Sequence, residues 1–348
     1  MTQNDRRYHL ALREIHQAAG ATFAMRTGWS LPEQYGDAAR EHAALRGHAA
    51  MFDRSHHSRF IVSGTDASEL LSAVFAGHVD ELEEGRAMRA AALSEGGAIT
   101  DLALIARTGG IAYLVTGEPG QRFDTFERLQ AAKGADWDVQ VEDRTESTCL
   151  LGVAGPAAAA LCEQHLGEGL PARLQRLHTV TFEFHGFRTL VTRTTDIGED
   201  GFEFMLAPAV AQHVIETLAA AGVPLAGAAA LESARIEACI PAFDPDLLPG
   251  YTPAQADLDQ LLGIDGGAEG VILSAVLLEG EAVPAAGTPI TAGGTRVGEL
   301  RSCVRSFGLG SVIGLASIAT AVALPGAELD LAGIRATITA KPFLRRRS

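Results

Sequence analysis

The spacing of apolar residues predicts a chain of mixed helices and strands up to about residue 275. Apolar positions recur every three to four residues in several segments, which predicts helices at 8–19, 67–82, 120–134, 209–222 and 227–240. Alternating or continuous apolar runs predict strands at 59–64, 111–117 and 201–207, and a strand, glycine turn and strand within 83–106. Residues 148–167 change from a strand to a helix at Gly155-Pro156, and a hairpin is expected about His185-Gly186.

The pattern of apolar and polar residues changes from about residue 275 onward. Helical patterns are absent there, and short β segments alternate with Gly and Pro turns. Such a pattern is typical of a separate all-β module.

The composition of the chain limits the kinds of molecule that it is expected to bind. The chain has 348 residues, 47% of them hydrophobic, which is enough for a large core in two or three domains. Its formal net charge of −15 disfavours nucleic acid and anionic membranes as partners. No apolar run is long enough to cross a bilayer, and the N-terminal residues do not resemble a secretion signal. Four dispersed cysteines in apolar contexts indicate reduced thiols and a cytoplasmic location.

Three stretches are unusually polar for their apolar surroundings. The first, "MFDRSHHSRFIVSG" (51–64), carries Asp53, Arg54, His56 and His57, and the second is the turn that ends at Asp101. The third, "RTTDIGEDGFEFML", contains this set of acidic residues: Asp196, Glu199, Asp200 and Glu203.

Two of these carboxylates allow more than one interpretation. Asp101 follows a glycine turn and precedes a buried strand, so it either caps the turn or has a function. If Phe202 and Phe204 face one side of their strand, Glu203 points to the other. Either that second face is exposed to solvent, or Glu203 is half-buried and needs a partner.

Several common site types lack support. His56 and His57 are adjacent on a predicted strand and point to opposite faces, so they do not form a metal site. The chain has no GxGxxG, Walker A or GxSxG motif.

The order of motifs resembles the aminomethyltransferase (glycine-cleavage T-protein) family of tetrahydrofolate-binding proteins. Matching segments run from residue 8 to 343, and six of them occur in the family's order. They are "MFDRSHHSRFIVSGTDASELL" (51–71), "GGAITDL" (96–102), "LLGVAGPAAAAL" (150–161), "IGEDGFE" (197–203), "ARIEACI" (234–240) and "TAKPF" (339–343).

The resemblance implies an α+β fold, a three-domain cloverleaf around a central folate pocket. Two α+β domains would comprise 1–50 with 148–246, and 51–147; a linker (247–274) would lead to a β-barrel-like domain (275–348).

The resemblance also implies a tetrahydrofolate cofactor, or a 5-substituted form of it. Glu203 matches the glutamate that would hold the pterin, because a carboxylate can accept from an amino group and a ring N–H together. Asp101 matches the catalytic aspartate, which would also orient the cofactor and manage a proton. Asp196 and His57 are further catalytic candidates. The remaining residues assigned to the cofactor pocket are Asp53, Tyr113, Val115 and Arg235.

Some positions depart from the family pattern on the substrate side. Thr100 replaces the first Asp of the turn, Asp196 a tyrosine, His57 a methionine, Leu231 an arginine and Gly117 an asparagine.

The sequence therefore favours an enzyme, a tetrahydrofolate-dependent transferase or demethylase that moves a one-carbon group to or from a small molecule. One alternative is the glycine-cleavage aminomethyltransferase itself, which would also need a carrier protein. Another is a non-catalytic folate-binding protein like the YgfZ-type iron–sulfur assembly factors, although their Lys-Gly-Cys-Tyr signature is absent.

Overall fold

The computed structural model describes residues 7–344 except 168, 169, 171–173, 185, 196 and 265. The chain divides into two compact units. The first comprises residues 1–93, 100–195 and 199–229, and the second comprises 94–99, 196–198 and 230–348.

The helices and strands are numbered in chain order. The α-helices are α1 (Arg13–Ala18), α2 (Ala38–Gly47), α3 (Ala67–Val74), α4 (Arg122–Ala131), α5 (Ala158–His165), α6 (Pro208–Ala220), α7 (Ala228–Glu237), α8 (Phe243–Asp246) and α9 (Asp259–Leu262). The strands of the first unit are β1 (Tyr8–His9), β2 (Thr22–Arg26), β3 (Trp29–Gln34), β4 (Ala50–Asp53), β5 (Ser58–Ser63), β6 (Phe75–Ala76), β7 (Ala87–Leu93), β8 (Ile99–Gly109), β9 (Ala112–Gly117), β10 (Gln140–Asp143), β11 (Cys149–Ala154), β12 (Thr179–Phe184), β13 (Phe187–Thr194) and β14 (Gly201–Leu206). Those of the second unit are β15 (Val271–Leu278), β16 (Pro289–Ala292), β17 (Thr295–Arg305), β18 (Val312–Ala319), β19 (Glu328–Leu331) and β20 (Ile334–Thr339).

A six-stranded sheet in the first unit has the order β10-β5-β9-β8-β7-β6. One of its faces packs against α3 and α4 through Leu70, Leu71 and Leu129. The apolar spacing of α3 produces the contact, because residues three and four apart share one side of a helix.

A five-stranded sheet in the same unit has the order β12-β13-β14-β11-β4. It packs one face against α5 and α6, with Phe202 and Phe204 of β14 in that core. Pro208 begins α6, where the missing N–H of proline costs no helical hydrogen bond. The hairpin of β12 and β13 pairs Phe184 with Phe187, and its turn residue His185 lies outside the described residues.

A small sheet, β1-β3-β2, completes the strands of the first unit. Helix α2 begins at Asp37, whose carboxylate accepts from the N–H groups of Ala39 and Arg40 at 3.0 and 3.2 Å. This is the capping that an aspartate at a helix start provides.

The second unit contains a closed barrel with the order β15-β18-β17-β16-β19-β20. Its interior is filled by branched side chains such as Leu300, Ile318 and Ile338. The predicted α+β class with an all-β C-terminal part is confirmed, and the barrel begins at Val271. No helix in the described part of the chain has the length and apolar character needed to span a membrane.

Two predicted helices are shorter than their apolar spacing indicated. The segment 67–82 is helical only over α3, because Phe75 and Ala76 pair with Ala92 and Ala91 of β7. Gly77, with a φ of 124°, then turns the chain. The segment 8–19 begins as strand β1, which pairs with β3, and only its second half is helical.

Candidate functional site

A cleft lies between the six-stranded and five-stranded sheets of the first unit, on the faces that turn away from the helices. It encloses about 260 Å³ that no protein atom fills, a volume that includes open solvent. The residues that line it are Leu104, Ala106, Leu114, Thr116, Leu150, Leu190, Thr192, Glu203 and Met205. The cleft is therefore mostly apolar and contains a carboxylate.

Glu203 lies on the cleft face of β14, opposite to the face that carries Phe202 and Phe204. The residue is only 4% exposed. Its Oε1 accepts a hydrogen bond from Nη1 of Arg54. A buried carboxylate of this kind must be paired, and Arg54 provides the charge.

Arg54 is held by a second contact. Its Nη2 donates to Nε2 of His57 at 3.1 Å, and Nδ1 of His57 donates to the carbonyl of Gly117 at 3.2 Å. Because Nε2 accepts from a guanidinium, the imidazole is neutral with its proton on Nδ1. Burial and the charge of Arg54 hold the pKa of His57 well below its usual value. His57 thus positions Arg54 against Glu203.

Asp101 lies on the other face of its sheet. Strand β8 alternates, so Leu104 and Ala106 line the cleft while Ala103 and Ile105 belong to the core beneath α3 and α4. Asp101 shares the face of Ala103 and Ile105, and it is fully buried.

The carboxyl group of Asp101 accepts hydrogen bonds from α4 and from the residue that follows β9. Oγ1 of Thr125 in α4 donates to Oδ2 at 2.6 Å, and the N–H of Glu118 donates to Oδ1 at 3.1 Å. Burial raises the pKa of Asp101 to about 7, although the bond from Thr125 opposes this rise. The side chain can therefore exchange a proton near neutral pH.

A path of hydrogen bonds and adjacent peptide groups joins the two carboxylates. Asp101 accepts from the N–H of Glu118, and the carbonyl of the same peptide group, that of Gly117, accepts from His57. His57 in turn accepts a hydrogen bond from Arg54, and Arg54 donates to Glu203. Asp101 therefore faces the helix side of the six-stranded sheet and Glu203 faces the cleft from the five-stranded sheet, and the hydrogen-bonded path between them passes the end of strand β9.

Gly117 allows this arrangement. A Cβ atom at Gly117 would lie 2.8 Å from Oδ2 of Asp101 and 2.8 Å from Oγ of Ser58. A side chain here would displace one of these groups. The absence of a side chain at Gly117 thus leaves the space that Asp101 and Ser58 occupy.

Other residues that the resemblance assigned to the cofactor pocket lie elsewhere. Tyr113 and Val115 face the core beneath α3 and α4, while their neighbours Leu114 and Thr116 line the cleft. Asp53 accepts a hydrogen bond at 2.9 Å from Nε2 of His16 on the helix side of β4.

Arg235 belongs to the second unit. Its guanidinium donates to Asp246 at 2.7 Å and to Glu232 at 2.5 and 2.6 Å. These carboxylates raise the pKa of Arg235 despite its burial. Asp196, the remaining catalytic candidate, lies outside the described residues.

Sequence reasoning did not assign Arg54, which binds the cleft residue Glu203, or Arg89, which lies on the cleft-side face of β7. Arg54 lies in the first of the three polar stretches (51–64), at the variable position of the Phe-Asp-x-Ser-His segment. Arg89 shares the face of Ala87 on β7, and Ala87 packs with Leu104, Ala106 and Leu114. The available signal was a single charge within the alanine-rich strand "AMRAAAL".

The cleft provides the two kinds of group that would hold a pterin, a carboxylate and apolar side chains. The carboxylate of Glu203 has two oxygens, and Arg54 contacts Oε1, so the group retains acceptor capacity for an amino group and a ring N–H. Apolar side chains from both sheets, such as Leu114 and Leu190, suit the faces of a flat ring.

Known proteins and protein families match this chain along nearly its whole length. The GCVT N-terminal domain family matches residues 12–266, and the glycine cleavage T-protein C-terminal barrel domain matches 272–344. An aminomethyltransferase of Rubrobacter xylanophilus is 32% identical over 88% of this chain and 86% of its own. One of Streptomyces coelicolor is 30% identical over 97% of each chain. The crystal structure of glycine cleavage system aminomethyltransferase T from Bartonella henselae superimposes with a TM-score of 0.89, at 25% identity, over 98% of this chain and 99% of its own. The chain therefore belongs to the aminomethyltransferase (glycine cleavage T-protein) family.

Proposed function

We propose that this protein is an enzyme that transfers a one-carbon group between tetrahydrofolate and a small-molecule substrate. The observation that supports this most directly is a buried carboxylate, Glu203, in a mostly apolar cleft of a T-protein family member. Bound tetrahydrofolate would supply the ring nitrogen that accepts or releases the one-carbon group.

The residues of the chain would bind and orient the reactants and manage protons. Glu203 would accept hydrogen bonds from the pterin, and Leu104, Leu114 and Met205 would exclude water from the ring faces. Asp101 would act from behind the sheet, by holding a proton at its carboxyl group and fixing the peptide of Glu118. His57 would be a positioning residue, since both of its nitrogens are engaged.

A titration with tetrahydrofolate tests the proposal. We expect Glu203→Gln to weaken tetrahydrofolate binding by at least about tenfold, because a hydrogen bond to a charged group contributes roughly 1.5–3 kcal/mol. The matched control is Glu216→Gln, an exposed glutamate of α6 that contacts Gln212, and it should bind like the wild type. If the wild type does not bind tetrahydrofolate, or Glu203→Gln binds it equally well, the proposal is wrong.

The glycine-cleavage reaction is the second candidate, favoured by the similarity to aminomethyltransferases over nearly the full chain. Its substrate would be an aminomethyl group on a lipoylated carrier protein. The two candidates are distinguished by adding such a carrier and tetrahydrofolate and measuring ammonia release. Release at a rate that saturates with carrier supports this candidate. Folate binding without turnover of any one-carbon donor supports the non-catalytic alternative.

A cytoplasmic location is part of the proposal. All four cysteines are free, and burial raises the pKa of Cys149 and Cys162 to about 12, which fits unreactive thiols in a reducing compartment.

A further inference from the structure

Ser58 is a buried hydroxyl that takes no part in the contacts around the cleft. It begins strand β5, and its side chain lies on the helix side of the six-stranded sheet, the side that Phe60 and Val62 also face. The residue is fully buried, and among the described residues its Oγ has no hydrogen-bond partner. Most buried hydroxyl groups in folded proteins are hydrogen-bonded, because burial without a partner costs free energy.

Asp101 lies beside this hydroxyl. Ser58 pairs with Gly117 in the sheet, and Gly117 pairs on its other side with Ala103, which shares a face of β8 with Asp101. Oγ of Ser58 and Oδ2 of Asp101 each lie 2.8 Å from the position that a Cβ at Gly117 would occupy. Since Gly117 has no side chain, the two oxygens flank the same small space.

The carboxyl group of Asp101 can accept a further hydrogen bond when it is ionised. Its Oδ2 accepts from Oγ1 of Thr125 at 2.6 Å, and its Oδ1 accepts from the N–H of Glu118 at 3.1 Å. An ionised carboxylate offers about four lone-pair positions, so acceptor capacity remains. Because Asp101 is fully buried, protein donors must replace the water that would solvate the charge.

Among the described residues, no cation donates a hydrogen bond to Asp101. The charge of Glu118 raises the pKa of Asp101. On the elements packed against it, Arg122 of α4 is paired with two carboxylates, and Arg59 of β5 donates to backbone carbonyls and to a threonine. His57, at the end of β9, is neutral. An ionised Asp101 therefore depends on neutral hydrogen-bond donors.

We propose that Ser58 is a positioning residue for Asp101: when Asp101 gives up its proton, the hydroxyl of Ser58 donates a hydrogen bond to Oδ2 and holds the carboxylate in place. When Asp101 is protonated, the same hydroxyl can accept instead, because a hydroxyl both donates and accepts. The role of this bond in one-carbon transfer rests on the proposed function, whereas the bond itself can be tested by titration of Asp101 alone.

The test measures the pKa of Asp101 by NMR in protein labelled with carbon-13 at the aspartate carboxyl groups. The signal of Asp101 is the one that is missing from Asp101→Asn. We expect Ser58→Ala to raise the pKa of Asp101 by about one pH unit, a tenfold change in proton affinity, because the ionised form loses a donor.

Two further variants calibrate this measurement. Thr125→Val removes a hydrogen bond that the structure shows, and it should also raise the pKa of Asp101. Ser147→Ala is the matched control and should leave this pKa unchanged, since Ser147 is exposed and its hydroxyl donates to the carbonyl of Arg144.

A second replacement of Ser58 keeps the test decisive if Ser58→Ala does not fold, as judged by circular dichroism. Ser58→Cys retains a side chain of similar shape, but a thiol is only a weak donor, so the pKa of Asp101 should rise here too. An unchanged or lowered pKa in a folded Ser58 variant would overturn the inference. A serine that only fills space would change stability without moving this titration.

Tetrahydrofolate is titrated into the same samples. Folate binding by the wild type, together with an unchanged pKa of Asp101 in Ser58→Ala, contradicts only the role of Ser58. A raised pKa in Ser58→Ala, without folate binding by the wild type, contradicts only the proposed function.

Discussion

Arg54 crosses strand β11 to donate a hydrogen bond to Glu203 on β14. The strand between them contributes Gly152, which pairs with Phe52 on one side and with Glu203 on the other. A Cβ at Gly152 would lie 2.0 Å from the ring of Phe52, so only glycine lets this ring lie across the sheet. Gly152 therefore makes room for the Phe52 ring on the strand that lies between the two partners of the ion pair.

Removal of Arg54 should destabilise the fold, because it takes away the partner of a buried charge. We expect Arg54→Met to lower the free energy of unfolding by about 3–5 kcal/mol, because it leaves the Glu203 carboxylate buried without its partner. The double variant Arg54→Met with Glu203→Gln should recover much of this loss. Urea unfolding of the two single variants and the double variant measures the coupling. Simple additivity of the two losses would show that the residues do not interact.

The pH dependence of stability should report on Asp101. Its folded pKa is about 7 because of burial, whereas an unfolded aspartate has a pKa of about 4. Between these values the folded state binds the proton and the unfolded state has lost it, so stability falls as the pH rises from about 4 to 7 and then levels off.

The matched variant for this effect is Asp101→Asn, which has no proton to lose. We expect its urea midpoint to lack the decrease between about pH 4 and pH 7 that the wild type shows. Parallel curves for wild type and variant over this range would mean that Asp101 titrates at an ordinary pKa.

Gly117 offers a steric test of the space around Asp101. We expect Gly117→Ala to destabilise the fold by about 1–3 kcal/mol, since its Cβ meets Asp101 and Ser58 at 2.8 Å. Gly120→Ala is the control, because a Cβ there meets nothing within 4 Å. Adding Ser58→Ala to Gly117→Ala should relieve part of the loss. Thermal unfolding measures all of these variants, and equal melting temperatures for the two alanine variants would contradict the packing.

Asp53 should control stability on the acid side. Burial alone would raise the pKa of Asp53, but the hydrogen bond and charge of His16 outweigh burial and lower it. Its contribution to stability is therefore present above about pH 4, the unfolded value, and is lost as the pH falls through the lower folded pKa. Asp53→Asn should be less stable than wild type at pH 7 and should lose less stability on acidification.

Tyr35→Phe separates this effect from a general loss of packing around His16. The hydroxyl of Tyr35 forms a hydrogen bond with Nδ1 of His16 at 2.7 Å, and its removal should cost only about 1 kcal/mol. The acid-side slope of this variant should match that of the wild type. A flattened slope in this variant would contradict the assignment of the acid-side slope to Asp53.

The sequence by itself determined the order and type of most elements and the family. Apolar spacing located most strands of the two large sheets but not β4, β6 and β10. The alternation Phe202-Glu203-Phe204 indicated that the glutamate points away from the core. Apolar spacing could not show that the helix predicted at 67–82 ends early, because the pairing of Phe75 with Ala92 that ends it is a long-range contact.

Only the tertiary structure decided which face of each strand forms the site. Strands β8 and β9 are buried on both faces, so their continuous apolar runs carry no alternation that separates the cleft from the core. The faces are distinguished by what packs on them: helix α4 over Asp101 and Val115, and the second sheet over Leu104 and Thr116. The Arg54–Glu203 pair likewise joins residues 149 positions apart, and only folding brings them together.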